Sequence, residues 1–312
     1  MACRAVASAQ AGPLGLDSLL CPSHLGDMMQ SHFFRKEIAF LVVFVSVLCS
    51  SPPSVRAWRQ LDEGLWLGKF NWPDELSDED PKVRVLKIDP KVYDFRLLST
   101  SEHNTGPMTA EEWADRFDLV AVINSSMYQV NRITSTGYMR NFAHVNNPKI
   151  NPRFGAFLVF NPVDTSVPPV QIIDKNYQGW TKLIHKYNTV IQNYRMISAK
   201  QENLWSQTDR RHNIACVGID KEGNVLFIHS SQSYSVYEFN QALLRIPLNI
   251  YNAMFVEGGS EAFLYLNTRK LPSKLRRTDN NWPVYDLNHK LPPAPNVLGI
   301  IRRQERTNRG LP

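Results

Sequence analysis

The chain has 312 residues, with 35 Lys and Arg against 29 Asp and Glu and a formal net charge of +6. The positive charges are dispersed, with no basic tract and no interleaving of basic and aromatic residues, which argues against nucleic acid as a partner. Three of the four cysteines lie in the first 57 residues, so the remainder has no internal disulfide to rely on and needs a hydrophobic core of its own.

Residues 38–48 form an apolar run, broken only by Ser46, behind Arg35 and Lys36, and Val55-Arg56-Ala57 supplies a small-residue cleavage site before Trp58. That is the pattern of a secretory signal peptide, and the run is short of the roughly 20 apolar residues of a membrane-spanning helix. Export is therefore expected, to a bacterial periplasm or the medium, with an uncleaved N-terminal anchor as the alternative. Contact with a membrane is expected only through this segment. Met28 and Met29 stand where a signal of ordinary length begins, which reads residues 1–27 as an over-extended start. Residues 58–82 then lead into one domain at 83–312, a size ample for a single core. Cys216 lies in the apolar run Ile214-Ala215-Cys216-Val217, the setting of a buried, inert thiol.

Strands are predicted over residues 64–70, 83–88, 92–98, 119–124, 154–160, 190–197, 213–219 and 225–229. The last two are joined by Asp220-Lys221-Glu222-Gly223-Asn224, a hairpin whose Gly and Asn suit left-handed turn positions. Asp220 and Glu222 read as exposed turn residues with no catalytic part. Thr109-Ala110-Glu111-Glu112 is a capping box opening a short helix to Phe117, and residues 176–185 and 238–244 are further helical candidates. Short strands at 253–256 and 262–266 flank Glu257-Gly258-Gly259-Ser260. Residues 270–293 read as a surface excursion before a last strand at 297–301. Many strands with few helices predict an α+β domain around a mixed, largely antiparallel sheet.

Four segments share one form, an apolar strand that runs into polar residues. They are Asn124-Ser125-Ser126 after residues 120–123, the turn Gly137 to Asn141 with Arg140, the stretch Asp209-Arg210-Arg211-His212-Asn213, and Glu257 to Ser260. Together they offer a carboxylate, guanidinium groups, an amide and hydroxyls, a mixture suited to an anionic, hydroxyl-rich ligand such as a sugar phosphate. Each has a plainer alternative. Asn124 and Ser125 also suit a strand cap, and the glycine pair suits a hairpin carrying a solvated Glu257. Alternation places at most one of Arg210 and Arg211 toward a site. His229 ends an alternating strand, as a structural histidine would. No His or Cys cluster has metal-ligand spacing, and neither a phosphate-binding Gly-rich loop nor a Gly-x-Ser-x-Gly elbow is present, so no metal and no cofactor is expected.

The order of these segments resembles the phosphodiester glycosidase domain family. Ile123-Asn124-Ser125-Ser126-Met127-Tyr128 matches the family's first Asn-bearing turn. Arg211 through Gly223 matches its Arg-led strand and Gly-bearing hairpin, and Glu257 to Ser260 its Asp-Gly-Gly-x-Ser-like turn. The likeness covers about residues 83–302 and is most specific at 113–128 and 211–266. It implies an exported hydrolase that cleaves a sugar from a sugar-1-phosphodiester, with Asn124, Arg211 and Glu257 as catalytic positions. Ser125, Ser126, Gly258, Gly259 and Ser260 follow as substrate-binding positions; Arg140 and His229 join them from the reading of the strand ends and not from the resemblance. Two departures stand out: Glu257 where the family has Asp, and Ser125-Ser126 where it has glycines. The extra methylene moves the carboxylate by about 1.5 Å, a displacement on the scale that alters rates. The alternatives are a non-catalytic sugar-phosphate-binding protein of the cell envelope that keeps the cleft, and a phosphodiesterase that cuts on the phosphorus side. Glu261 and Asp209 are the candidates for a second carboxylate.

Overall fold

The computed structural model describes residues 58–71, 83–230, 232–273 and 291–304, which fall in one compact unit, Pro52–Pro312. The candidate signal segment and residues 274–290 of the expected excursion lie outside the described residues. In chain order the strands are β1 (Trp58–Asp62), β2 (Leu65–Phe70), β3 (Val83–Ile88), β4 (Tyr93–Ser99), β5 (Ala121–Asn124), β6 (Met139–Asn141), β7 (His144–Asn147) and β8 (Ala156–Pro162). They continue with β9 (Val170–Asp174), β10 (Tyr187–Asn193), β11 (Arg195–Ile197), β12 (Ile214–Asp220), β13 (Val225–Ser230), β14 (Ile250–Gly258), β15 (Leu264–Leu266) and β16 (Asn296–Arg302). The helices are α1 (Thr100–His103), α2 (Ala110–Arg116), α3 (Trp180–Leu183) and α4 (Val236–Arg245). The α+β class is as expected.

The strands divide among three sheets, ordered β1-β2-β3-β13-β12-β14-β11, β7-β6-β10-β8-β9 and β15-β5-β16-β4. The pairings within them are antiparallel. All three sheets contribute to one central core. Phe95 of β4 lies 6.1 Å, between ring centroids, from both Phe160 of β8 and Phe227 of β13, and so joins the three.

Alternation along each strand decides which side chains enter this core. In β12, Ala215, Val217 and Ile219 face the centre, whereas Ile214 and Cys216 face the layer under α4 with Phe239 and Leu243. Cys216 is buried, and burial pushes its thiol well above the ordinary range. α2 covers the four-stranded sheet through Ala110, Trp113 and Ala114. A fully buried side chain of Leu or Phe size is worth about 1.5–3 kcal/mol, so these layers, and not intrinsic helix propensity, hold the short helices in place.

Both capping boxes form. Thr109 with Glu112 opens α2, as expected, and Ser235 with Glu238 starts α4 two residues before the predicted 238. Two predicted elements come out differently. The strand predicted at 190–197 breaks at Tyr194, because β10 belongs to the five-stranded sheet and β11 to the seven-stranded one. The helix predicted over 176–185 shrinks to α3 and a 3-10 turn (Ile184–Lys186). Its front end is taken up by Asp174, whose carboxylate accepts the Asn176 N–H at 2.9 Å and whose carbonyl accepts the Gln178 N–H at 3.0 Å. Asp220 is also a correction: it is 2 % exposed, and its carboxylate organises the hairpin by accepting the Glu222 and Asn224 N–H groups.

Candidate functional site

Residues 253–266 do not form a hairpin. β14 ends in the seven-stranded sheet, a 3-10 turn (Gly259–Glu261) follows, and β15 belongs to the four-stranded sheet. The turn therefore crosses between sheets, and Glu257 ends a buried strand at 9 % exposure. Opposite β12 the register slips: Cys216 pairs with Phe255 but Ala215 with Glu257, leaving Val256 as an extra residue. Such a bulge re-aims the side chain beside it. Val256 stays in the central core, and Glu257 lines a cleft of about 970 Å³.

The two glycines have separate reasons. Gly259 has φ of 75°, the left-handed region that glycine enters without steric cost. At Gly258 a Cβ would lie 2.6 Å from the His212 ring, so the glycine lets the imidazole pack on the backbone. Their amides are already engaged. The Gly258 N–H donates to Glu257 Oε1 at 2.9 Å and the Gly259 N–H to the Asn213 carbonyl at 2.8 Å. These two donors are spent within the fold and do not point to a ligand.

Burial pushes Glu257 up to about 7; the Gly258 amide opposes this, and the charge of Glu261 adds to it. Glu261 itself accepts the Tyr128 hydroxyl at 2.7 Å and has Arg132 at 3.8 Å. Burial and the bond to Glu261 raise the Tyr128 phenol, which therefore stays a donor at neutral pH. The two carboxyl groups stand in different surroundings. Glu261 is held by a hydroxyl and a guanidinium, while Glu257 is desolvated and keeps its proton up to neutrality. His212 is pushed below its ordinary value by burial and by Arg210.

The cleft has an aromatic wall, in which Tyr194 lies 5.5 Å from Trp205 and Trp205 lies 5.9 Å from Phe255 between centroids. Its other lining groups include Arg153, Lys175, Arg195, Arg210 and Arg211, with Met127 beside them. Arg195 binds Asp174 at 3.0 Å, and Arg211 binds Glu238 in the first turn of α4 at 2.7 Å. Arg210 and Arg211 both line the cleft, against the alternation argument, because they sit outside any strand. A proton-carrying carboxyl, anion-binding guanidinium groups and an apolar wall can together hold a sugar ring with an anionic substituent and move a proton at it.

Of the ten positions singled out in the sequence, Arg211, Glu257, Gly258 and Gly259 line this cleft. The other six do not. Asn124 is 2 % exposed; its Nδ2 donates to the Glu261 carbonyl at 2.9 Å and its Oδ1 accepts the Phe263 N–H at 2.8 Å. It braces the Glu257 turn from behind. Ser125 donates to Asn296 at 2.6 Å, and Ser126 sits 3.0 Å from the Ser135 hydroxyl, both of them buried. His229 Nε2 donates to the Ala262 carbonyl at 3.3 Å, and desolvation pushes its imidazole down to about 4, so it is a neutral support. Arg140 donates to the Tyr187 carbonyl at 2.6 Å within the five-stranded sheet. Ser260 is exposed beside the cleft. Tyr194, Trp205 and His212 were missed; the last had a signal in its place beside Arg211, and the aromatic pair had none.

A family model described as phosphodiester glycosidase matches residues 117–301, more than half of the chain. Among solved structures, a hypothetical protein from Synechocystis is similar with a TM-score of 0.53 and 13% identity, over 79% of this chain and 63% of that one. The chain thus spans a little under two thirds of that protein. The catalytic domain of zebrafish N-acetylglucosamine-1-phosphodiester alpha-N-acetylglucosaminidase, auto-inhibited by its pro-peptide, is similar with a TM-score of 0.51 and 14% identity, over 78% of this chain and 86% of that one. A search of curated protein sequences finds no match. At 13 and 14% identity the two structures establish the fold alone.

Proposed function

Because the chain belongs to the phosphodiester glycosidase family, we propose that its cleft hydrolyses the bond between the anomeric carbon of a sugar and a phosphodiester borne by an exported glycan or glycoconjugate. Glu257, a buried carboxyl that titrates near 7, meets Arg210 and Arg211 in one cleft, and that meeting carries the proposal. The phosphate is already a competent leaving group and needs little protonation. The demanding step is delivery of water to an oxocarbenium-like carbon, the task of a carboxylate in glycoside hydrolysis.

Ionised Glu257 would take a proton from the attacking water as its oxygen bonds to C1. The C1–O bond to the phosphate breaks as the water adds, its electrons staying on the phosphate oxygen, and the carrier departs as a phosphomonoester. A general base with a proton affinity near the working pH is well matched to this step. Arg211 keeps further N–H donors beyond the one bound to Glu238, and with Arg210 would hold the phosphate oxygens. The sugar face would lie on Tyr194 and Trp205. Glu261 would act through Glu257, keeping its proton affinity high, while Asn124 and His229 would hold the turn.

A second reading, a sugar-phosphate-binding protein without catalysis, draws on the engagement of the Gly258 and Gly259 amides within the fold, which leaves neither for a reacting group. One assay separates the readings: the full-length protein is incubated with a panel of sugar-1-phosphodiesters and the products are identified. The proposal requires free reducing sugar together with a phosphomonoester. Binding without release supports the second reading, and release of sugar-1-phosphate places the cut on the phosphorus side and overturns the proposal.

A further inference from the structure

The cationic lining of the cleft exceeds what one phosphodiester requires. Five Lys and Arg residues line it, and Glu257 is the one carboxylate-bearing residue among its lining. Asp174 and Glu238 neutralise Arg195 and Arg211. Arg153, Lys175 and Arg210 have no carboxylate within salt-bridge distance among the described residues; the Lys175 ammonium has the Pro152 carbonyl at 3.5 Å and the Trp180 ring at 5.6 Å. Glu257, titrating near 7, offsets them only in part. Three cations remain for a substrate group that carries a single negative charge.

Their placement separates them into two sets. Arg210 precedes His212, which packs on Gly258 beside Glu257, and so belongs to the seven-stranded sheet's side of the cleft. Arg153 and Lys175 flank the five-stranded sheet: Arg153 leads into β8, and Lys175 follows β9, with its N–H bonded to the Gly155 carbonyl at 2.8 Å. The two walls belong to different sheets and share one cleft of about 970 Å³, at the upper end of ligand-site volumes.

We infer that Arg153 and Lys175 form a second anion subsite, so that the substrate is a polyanionic carrier, a glycan or polyol chain with at least one further phosphate or carboxylate beyond the scissile phosphodiester. This rests on the glycosidase reading of the same cleft. The scissile phosphate would sit by Arg210 and Arg211, and the next anionic group of the carrier by Arg153 and Lys175.

Two probes test it: a sugar-1-phosphate methyl ester, with one charge, and the same sugar-1-phosphate on a glycerol phosphate hexamer. Binding to the full-length protein is measured by calorimetry, and hydrolysis by released sugar, at 50 and 200 mM salt. The expected result is binding of the hexamer probe about tenfold tighter or more at low salt, an advantage that shrinks at high salt as charges are screened. In the doubly substituted Arg153→Gln, Lys175→Gln protein, whose folding is checked by its thermal transition, the affinity ratio between the probes should fall toward one. Equal affinity of the two probes for the unsubstituted protein, or a ratio that survives the double substitution, overturns the subsite. Hydrolysis of both probes at equal KM sinks the subsite and leaves the glycosidase reading standing. Tight hexamer binding without hydrolysis of either probe does the reverse.

Discussion

The turns after β5 and after β14 look alike as text: each follows a buried apolar strand, and each places a carboxamide or carboxylate ahead of small residues. In space they are opposites. Glu257 is turned by a bulge into a cleft, with its second oxygen left for a reactant. Asn124 is turned inward, and both of its polar atoms are bonded to the backbone of the Glu257 turn. One residue is placed to react and the other to hold. A polar side chain at a strand end is thus a site residue only when its hydrogen-bonding capacity is not already used by the fold.

Substitution at the two positions should separate the roles cleanly. Glu257→Gln should lower turnover by about 10²–10⁴-fold, the usual worth of a positioned base, without loss of stability. Its effect on stability depends on pH. The folded protein holds the Glu257 proton up to about 7 against an ordinary 4.5. The stabilisation from proton binding is complete below 4.5 and is lost as pH rises through 7, a difference on the order of 3 kcal/mol. Denaturant melts should therefore show Glu257→Gln more stable than the unsubstituted protein at pH 8 and equal to it at pH 4. Loss of stability at pH 8 would contradict this account of the buried carboxyl.

Asn124→Ala should do the converse. Removing two bonds and stranding the buried Phe263 N–H should cost about 2–4 kcal/mol, read as a lower denaturant midpoint. A residue that only touched substrate would leave the midpoint unchanged. Tyr128→Phe, on the outer side of the turn, removes the hydroxyl bond to Glu261 and should cost about 1 kcal/mol. The finest probe is Glu261→Gln. Removing that charge eases ionisation of Glu257, so the acid limb of the kcat/KM profile, expected near 7, should move to lower pH. A fixed limb together with lower stability would reduce Glu261 to a purely structural part.

Much of the fold was legible because the strands alternate and the caps are local. The capping box at Thr109 and the Asp220 to Asn224 hairpin rest on neighbours in sequence, and both formed. The break at Tyr194 was not legible, because no change of periodicity marks a strand that leaves one sheet for another. In the site, the Glu257 turn and Arg211 were visible as residue types. The inward direction of Asn124, Ser125 and Arg140 was not, since their side chains bond to groups remote in sequence; His229 already read as a structural histidine at the end of an alternating strand, and it is one.

Local pattern and residue order were enough for the α+β class, the family resemblance and the segment that carries the carboxylate. Which polar strand ends open on the cleft was set by long-range pairing. That choice depends on a one-residue register slip in β14 and on the crossing of Gly259–Glu261 from one sheet to another. Both arise from pairing between distant strands, which the local alternation of the chain does not encode.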